Sequence, residues 1–234
     1  MFQFPESAAT DKHTGCFTAE SKVTLEDGRR LNMSQLSLGD RVQTLDSAGS
    51  TVYSEVIMFL DREPEERMRF VTLTAEDGSE VRVTASHLVY SGSGDCGQLS
   101  CMEATYAGSV EVGSTVLVTA GGVTKAVRVA GVGAGHHTGV YAPLTTAGTI
   151  LVDSVLASCY AVIDSQAVAH AAFLPVRWYS AASHAASYLR NLVQSPPSSA
   201  APRSSAASSW TGVHWYPELL YSVARLIMPG HLAA

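Results

Sequence analysis

The chain has 234 residues, of which 46% are hydrophobic and 15% charged, and its formal net charge is −6. This length and apolar content suit one large domain, or a domain with an appendage, and argue against a disordered chain. Only 15 lysines and arginines are present, too few for the basic surface of a nucleic-acid-binding protein. No run reaches the roughly 18 uninterrupted apolar residues of a membrane span, and the first residues do not resemble a signal peptide. Composition therefore leaves open a piece of a secreted precursor or a cytosolic protein.

Between residues 20 and 160 the sequence predicts many short strands separated by turns. Asp-Gly and Gly-Gly pairs mark several of those turns. The predicted strands are Lys22–Glu26, Arg41–Leu45, Val52–Leu60, Phe70–Thr74, Val81–Thr84, Val116–Thr119, Ala126–Val132, Thr149–Asp153 and Ser158–Ile163. Short strands at such regular spacing predict an all-β domain.

A weak internal repeat lies inside this region. Residues 36–42 (LSLGDRV) resemble residues 110–116 (VEVGSTV), 74 positions further along the chain. The match indicates two related β-subdomains. A chance similarity between two glycine-containing turns is the alternative.

The character of the chain changes after residue 163. Gln166–Val193 is rich in alanine and compatible with helix, and Ser195–Ser209 is a low-complexity linker. Trp210–Met228 predicts an amphipathic helix preceded by aromatic residues. Its apolar face either packs on the β domain, which the pattern alone favours, or meets a lipid surface.

The four cysteines are Cys16, Cys96, Cys101 and Cys159. They form no CxxC pair, and the histidine spacing is not that of a zinc site, so no metal site is predicted. Cys96 and Cys101 either form a disulfide in an oxidising compartment or remain two separate thiols. Cys159 lies in an apolar run and is predicted to be a buried strand thiol.

The residues with the clearest chemistry are Gly15 and Cys16. A cysteine thiol lies within covalent reach of the preceding carbonyl, and its attack would convert the peptide bond into a thioester through a five-membered ring. His87 is a natural proton carrier, and Thr84, three residues earlier, could donate or accept a hydrogen bond at the scissile peptide and twist or polarise it. Taken alone, Thr84 and His87 fit an ordinary strand end and turn, and Asp61, in a charged run, fits a solvated loop.

Eight segments, taken in order, carry a resemblance to a known family. They are Gly15–Phe17, Leu36–Val42, Tyr53–Ile57, Phe59–Arg62, Thr84–Leu88, Tyr141–Leu144, Ala157–Ile163 and Gly212–Tyr216. Together they span nearly the whole chain, and they strongly resemble the C-terminal autoprocessing domain of Hedgehog proteins. The resemblance implies an all-β Hint (hedgehog/intein) fold of two pseudo-symmetric subdomains, followed by a helical sterol-recognition region.

The resemblance also implies a domain organisation. Residues 1–15 would be a remnant of an upstream segment, residues 16–165 the Hint domain, and residues 166–234 the sterol-recognition region with the linker 195–209. The signalling domain that precedes such a module is missing, so we expect a fragment, an engineered piece or an incomplete gene model. We do not expect the chain itself to be the signalling molecule.

By the same resemblance, Cys16 is the nucleophile that forms an internal thioester with Gly15, and Thr84 and His87 assist. Asp61 activates the hydroxyl of cholesterol, which then releases the upstream fragment as a sterol ester. Cys159 would be a thiol near the site that pairs with the nucleophile and gates it by redox. The residues expected to contact the sterol are Trp215, Tyr216, Leu219, Leu220 and Val223.

The expected surroundings of the reaction follow from this reading. No cofactor is expected, because cholesterol is a substrate. The expected partners are cholesterol, the upstream signalling domain in cis and, through the C-terminal region, a membrane surface, but not nucleic acid. Processing would take place in the secretory pathway, in the lumen of the endoplasmic reticulum, and the full precursor would be membrane-associated or secreted.

Other functions remain as alternatives. A splicing intein needs a terminal Asn followed by Cys, Ser or Thr, whereas this chain ends in PGHLAA and has no His-Asn pair. A papain-like protease is disfavoured by the β pattern and by the residues around Cys16. An intein-like Hint domain that cleaves without sterol remains open. So does a secreted, non-catalytic lipid-binding module, although intact Cys16, Thr84, His87 and Asp61 argue against it.

Overall fold

The computed structural model describes residues 15–93, 99–161 and 212–213. Short 3₁₀ helices cover Met33–Gln35, Leu99–Cys101 and Ala107–Ser109. The strands are β1 (Lys22–Thr24), β2 (Arg30–Asn32), β3 (Arg41–Leu45), β4 (Thr51–Ala75), β5 (Glu80–Val83), β6 (His87–Gly92), β7 (Glu103–Tyr106), β8 (Thr115–Ala120), β9 (Val123–Thr145), β10 (Thr149–Val152), β11 (Val155–Ala161) and β12 (Gly212–Val213). The prediction of an all-β domain is confirmed for this part of the chain.

Two long antiparallel strands, β4 and β9, form the frame of the fold. They pair from Val56 opposite Thr145 to Ala75 opposite Val129. The main sheet runs in the order β10-β11-β6-β8-β9-β4-β12, with β3 and β5 also paired to β4 and β7 paired to β6. A separate hairpin, β1–β2, precedes them. Along most of its length, β4 is therefore paired with β9, whose paired residues lie more than 50 positions further along the chain.

The strands Val52–Leu60 and Phe70–Thr74, predicted to be separate, are parts of one strand, β4. The charged run between them stays in the strand because β9 continues to pair with β4 on both sides of it. The register shifts between Glu63 and Arg67, where Pro64 lacks an amide hydrogen for the ladder. Pairing with a distant strand therefore overrides the local signal for a loop, and β9 likewise extends well beyond the predicted Ala126–Val132.

The internal repeat corresponds to two turns of the same geometry. Each follows a 3₁₀ helix and contains a glycine of positive φ, Gly39 at 88° and Gly113 at 93°. The Gly39 amide donates to the carbonyl of Val56, and the Gly113 amide donates to that of Val129, both at 2.8 Å. Each turn then leads into a strand, β3 or β8, that pairs with one of the two long strands. These matching elements are the corresponding parts of the two pseudo-symmetric subdomains that the sequence predicted.

The interior is built mainly from the alternating apolar residues of both subdomains, with valine the commonest side chain in the principal cluster. Within residues 15–93 and 99–161, no helix is long and apolar enough to cross a membrane. The predicted helices of the C-terminal region and the linker 195–209 lie outside the described residues. Only β12 represents that region, and it pairs with β4.

Candidate active site

The Gly15–Cys16 peptide is held by Thr84, which directly follows β5. The amides of Gly15 and Cys16 both donate to the Thr84 hydroxyl oxygen at 3.0 Å. In return, the Thr84 amide donates to the Cys16 carbonyl at 3.0 Å. Two successive amides reach one oxygen because Gly15 has a φ of 77°, a conformation that glycine adopts without steric cost. We call this arrangement the Thr84 clamp.

Phe17 fixes the chain on the other side of Cys16. Its amide donates to the Tyr141 carbonyl at 2.8 Å, and the Tyr141 amide donates back to the Phe17 carbonyl at 3.0 Å. The Phe17 side chain is fully buried, and its ring meets the ring of His87 edge-on, with centroids 4.3 Å apart. Cys16 therefore lies between two anchored residues and has little conformational freedom.

His87 reaches the site through the tight turn that follows Thr84. Its amide donates to the Thr84 carbonyl at 3.0 Å, and its Nε2 lies 3.0 Å from the Ser158 carbonyl. A carbonyl can only accept, so Nε2 carries the hydrogen of the neutral ring and Nδ1 carries the lone pair. Nδ1 is buried, with no hydrogen-bond partner among the described residues. The structure thus provides a buried ring nitrogen with a lone pair that can accept a proton.

Burial lowers the pKa of His87 to about 4, although the backbone groups of Gly15 and Ser158 act in the opposite direction. At neutral pH the imidazole is therefore uncharged and able to accept a proton. Once protonated, it would be a stronger acid than an ordinary histidine and would give the proton up readily. These are the properties of a group that takes a proton from one atom and delivers it to another.

The Cys16 side chain is completely buried in a small apolar cluster with Phe70, Val140 and Ala142. Burial, and then the charge and hydrogen bond of Asp61, raise the pKa of the Cys16 thiol well above its ordinary value. The resting form is therefore the thiol. Its Sγ–H donates to Asp61 Oδ2 at 3.9 Å, so attack by this sulfur requires a base that removes the proton.

Asp61 lies on β4 and is only 4% exposed, which corrects the interpretation of its charged run as a solvated loop. Phe59 pairs with Pro143 and Asp61 pairs with Ala142, so Leu60 is an extra residue on β4. Such a β-bulge changes the direction of the side chains that follow it. The bulge brings the Asp61 carboxylate beside the sulfur of Cys16.

Cys159 is buried on β11, as the sequence predicted. Burial raises the pKa of its thiol to about 11, and the Thr145 hydroxyl lies 3.6 Å from its sulfur. Cys16 and Cys159 are both free thiols, so the predicted redox pairing between them stays a prediction. Cys101 is disulfide-bonded, whereas Cys96, the partner considered from the sequence, lies outside the described residues.

A family model, the Hint module, matches residues 3–229. The chain belongs to the Hint module family. It is 37% identical over 229 residues to the Sonic hedgehog protein of Danio rerio, which covers 97% of this chain and 53% of that protein. It is 38% identical over 226 residues to the Protein hedgehog of Drosophila melanogaster, which covers 96% of this chain and 46% of that protein. The chain therefore spans about half the length of these relatives.

Solved structures of inteins share the fold. A DnaB intein from Synechocystis sp. PCC 6803 superimposes with a TM-score of 0.51 and 8% identity, covering 62% of this chain and 98% of the intein. The Ssp DnaB mini-intein variant M86 also gives a TM-score of 0.51 at 8% identity, covering 64% of this chain and 97% of the intein. The recognition of a Hint module from the sequence is confirmed, and family and fold together support a self-cleaving, autoprocessing type of function.

The five residues of the Hint module that were predicted to contact a sterol lie outside the described residues. They are Trp215, Tyr216, Leu219, Leu220 and Val223. The nearest described segment is β12, in which Gly212 pairs with Arg62 and Val213 pairs with Asp61. The C-terminal region therefore reaches the strand that carries Asp61.

An open cleft of about 750 Å³ lies apart from these catalytic candidates. Its lining is polar and of mixed charge, and it includes Lys22, Arg30, Asp77, Arg82 and Asp153. A sterol is largely apolar, so this cleft does not suit it. Among the described residues, no group of three or more His, Cys, Asp or Glu side chains could hold a metal ion.

Two features of the site were not found from the sequence. The Ser158 carbonyl, which sets the tautomer of His87, is a main-chain group that any residue would supply. The guanidinium of Arg62 lies 4.8 Å from the Phe59 ring centre and 5.8 Å from that of Tyr141, across the bulge. The Ser158 carbonyl leaves no signal in the sequence, whereas Pro143, opposite Phe59, hints at the bulge because proline cannot donate to the ladder.

Proposed function

We propose that this Hint module cleaves the Gly15–Cys16 bond of its own polypeptide through a thioester and transfers the upstream segment to cholesterol. The observation that carries the proposal is the convergence of Thr84, His87 and Asp61 on one Gly–Cys junction. These three groups come from two separate strands and a turn, and each contributes a different chemical property. A structural role alone would not require a buried carboxylate beside a buried thiol, because burying a charge is unfavourable.

In the first step, the Cys16 sulfur attacks the Gly15 carbonyl carbon and the bond to the Cys16 nitrogen breaks. The thiol proton leaves to a nearby base, and one proton must reach the departing amine. His87 suits this transfer, because its Nδ1 carries a lone pair and its conjugate acid is strong. Thr84 holds the scissile amide during the reaction. The products are a thioester at Gly15 and a free amine at Cys16, so no proton is gained or lost.

In the second step, the hydroxyl of cholesterol attacks the thioester. An alcohol is a weak nucleophile, so it needs a base, and Asp61 is a carboxylate already next to the sulfur. The alcohol proton passes to Asp61 and then to the departing sulfur, which leaves as the Cys16 thiol. The high pKa of that thiol makes this return of the proton important. The upstream segment leaves as an ester of Gly15 and cholesterol.

The surroundings proposed for this reaction are the secretory pathway and a membrane surface near the C-terminal region. The disulfide at Cys101 supports an oxidising compartment, since such bonds are rare in the cytosol. The upstream signalling domain would be the segment transferred. Cofactors are not needed for either step as written.

The test is a fusion of a reporter protein to the N-terminus of the full chain. Incubation with dithiothreitol probes the thioester, because a thiol attacks it and releases the reporter. Incubation with cholesterol in detergent probes the second step, and the released reporter should carry the mass of a cholesterol ester. Cys16→Ala should abolish both reactions. Asp61→Asn should keep thiol cleavage and lose the cholesterol reaction.

The outcomes separate the proposal from its alternatives. No cleavage with dithiothreitol would exclude the thioester and leave a lipid-binding module. Cleavage with dithiothreitol but not with cholesterol would indicate an intein-like Hint domain that acts without sterol. Equal loss of both reactions in Asp61→Asn would contradict the separate role of Asp61 in the second step.

A further inference from the structure

Strand β12 joins the sheet at the bulge that carries Asp61. Gly212 is opposite Arg62 and Val213 is opposite Asp61, in an antiparallel pair. On the other side of β4, Asp61 and Arg62 pair with Ala142 and Tyr141 of β9. A segment from the C-terminal region therefore completes the sheet at the same residue that contacts the sulfur of Cys16.

The direction of the main-chain amide and carbonyl groups identifies which residue of β12 can form hydrogen bonds with β4. The amide and carbonyl of Tyr141 both bond to Phe17, so they point away from β4. In an antiparallel strand, successive residues direct these groups to opposite sides. Asp61 is therefore bonded to β9, and the amide and carbonyl of Arg62 face β12. Gly212, opposite Arg62, is the residue placed to exchange two hydrogen bonds with it.

Two other strands pair with β4 at positions before and after Asp61 and Arg62. β3 pairs with residues 51–55, and β5 pairs with residues 71–74. Leu60 interrupts the regular ladder with β9 just before Asp61, and an interrupted strand at an edge opens more easily than a strand paired on both sides. Pairing with β12 gives this part of β4 a second partner.

We propose that β12 is a positioning strand, in which the main chain of Gly212 holds Arg62 and thereby keeps the Asp61 carboxylate in place for the second step. The inference rests on the proposed function, since it concerns the base of that step. The C-terminal region would then contribute to the reaction in two ways, through contacts of its side chains with the sterol and through this main-chain pairing. β12 pairs with β4, whereas Thr84 and His87, on which the first step depends, lie outside β4.

The test compares Gly212→Pro with Gly212→Ala in the full chain fused to a reporter. Proline removes the amide hydrogen and does not fit the ladder, whereas alanine keeps the amide. Gly212→Pro should lower the maximal rate with cholesterol by about 10²-fold, the range expected for a displaced general base. Its rate with dithiothreitol and its half-saturating cholesterol concentration should not change. Gly212→Ala should behave as the unmodified chain in all three measurements.

A second measurement follows the strand directly, by hydrogen exchange at the Arg62 amide. This amide should be protected in the unmodified chain and in Gly212→Ala, and exchange at least tenfold faster in Gly212→Pro. The inference is overturned if the proline variant keeps its maximal cholesterol rate, if only its half-saturating concentration rises, or if thiol cleavage falls equally. If the unmodified chain does not cleave at all, the proposed function fails, whereas unchanged exchange at Arg62 would contradict the strand pairing alone.

Discussion

Two parts of the molecule hold the beginning of the described chain in the same way, and only one of them has the groups for catalysis. In the Thr84 clamp, a main-chain amide bonds the Cys16 carbonyl and a side-chain oxygen accepts the Cys16 amide. At the end of β10, the Asp153 amide donates to the Lys22 carbonyl at 2.8 Å, and an Asp153 carboxylate oxygen accepts the Lys22 amide at 3.0 Å. We call this second arrangement the Asp153 clamp.

The difference between the clamps lies in what surrounds them. Cys16 is buried next to Asp61, and the turn after Thr84 brings in His87. Lys22 is exposed at the edge of the polar cleft, and the turn after Asp153 leads directly into the apolar strand β11. The clamp is therefore a way of fixing an extended segment, and the chemistry that we propose comes from the groups around the Thr84 clamp, namely the imidazole of His87 and the carboxylate of Asp61.

The largest effect that separates the two clamps should come from Thr84→Val. Valine has nearly the same shape but leaves the amides of Gly15 and Cys16 without their acceptor. Loss of one preorganised hydrogen-bonding group in an active site typically slows a reaction by about 10²- to 10³-fold, and we expect a decrease of this size in cleavage by dithiothreitol.

Two variants serve as controls for this prediction. Thr84→Ser keeps the hydroxyl and should stay within about tenfold of the unmodified rate. Asp153→Ala breaks the other clamp and should leave the rate unchanged. A similar decrease in Asp153→Ala and Thr84→Val would mean that both clamps act only by supporting the fold.

The next effect is the pH dependence of stability that His87, beside the Thr84 clamp, should cause. The folded-state pKa of His87 is lowered from 6.5 to about 4, so the unfolded chain binds a proton in this interval that the folded chain does not. The contribution of His87 to the free energy of unfolding should therefore be complete above pH 6.5. It should decrease as the pH falls toward 4, by at most about 3 kcal/mol.

Urea unfolding at pH 6.5 and pH 4.5 would measure this effect, in Cys16→Ala so that cleavage does not interfere. His87→Gln in the same background removes the titrating ring and should show a smaller loss between the two pH values. An equal loss in both proteins would show that other groups cause the acid sensitivity.

Local motifs pointed to a common site for Cys16, Thr84 and His87, whereas only the family resemblance placed Asp61 there. Cys16, Thr84 and His87 occur in short motifs whose residue types have a direct chemical meaning, and the structure brings them together. Asp61 lies in a charged run, which locally indicates a loop. Its burial depends on pairing with β9, about 80 residues further along the chain, and on the bulge at Leu60. Such pairing is not visible in local periodicity.

The same distinction applies to the fold. The two equivalent turns were predictable because both need a glycine at the position of Gly39 and Gly113, where φ is positive. The continuity of β4 was not, since it depends on hydrogen bonds to a distant strand. The tautomer of His87 depends on the Ser158 carbonyl, and a main-chain group leaves no trace in residue type. Conformations that require a particular residue type could therefore be predicted from the sequence, whereas main-chain pairing between distant strands could not.

The smallest effect should come from Asp153→Asn, which keeps the shape of the second clamp. Burial raises the pKa of Asp153, so its contribution to stability is present below its unfolded-state pKa and is lost as the pH rises through the folded-state value. This sign is opposite to that of His87. The amide oxygen of asparagine still accepts the Lys22 amide and carries no charge. At pH 7 the variant should therefore be as stable as the unmodified chain, or more stable by up to about 0.5 kcal/mol, since Asp153 is partly exposed. Urea unfolding at pH 7 and pH 3 would measure this difference, which should shrink at the lower pH. A loss of more than about 1 kcal/mol at pH 7 would instead show that the charge of Asp153 is required to hold Lys22.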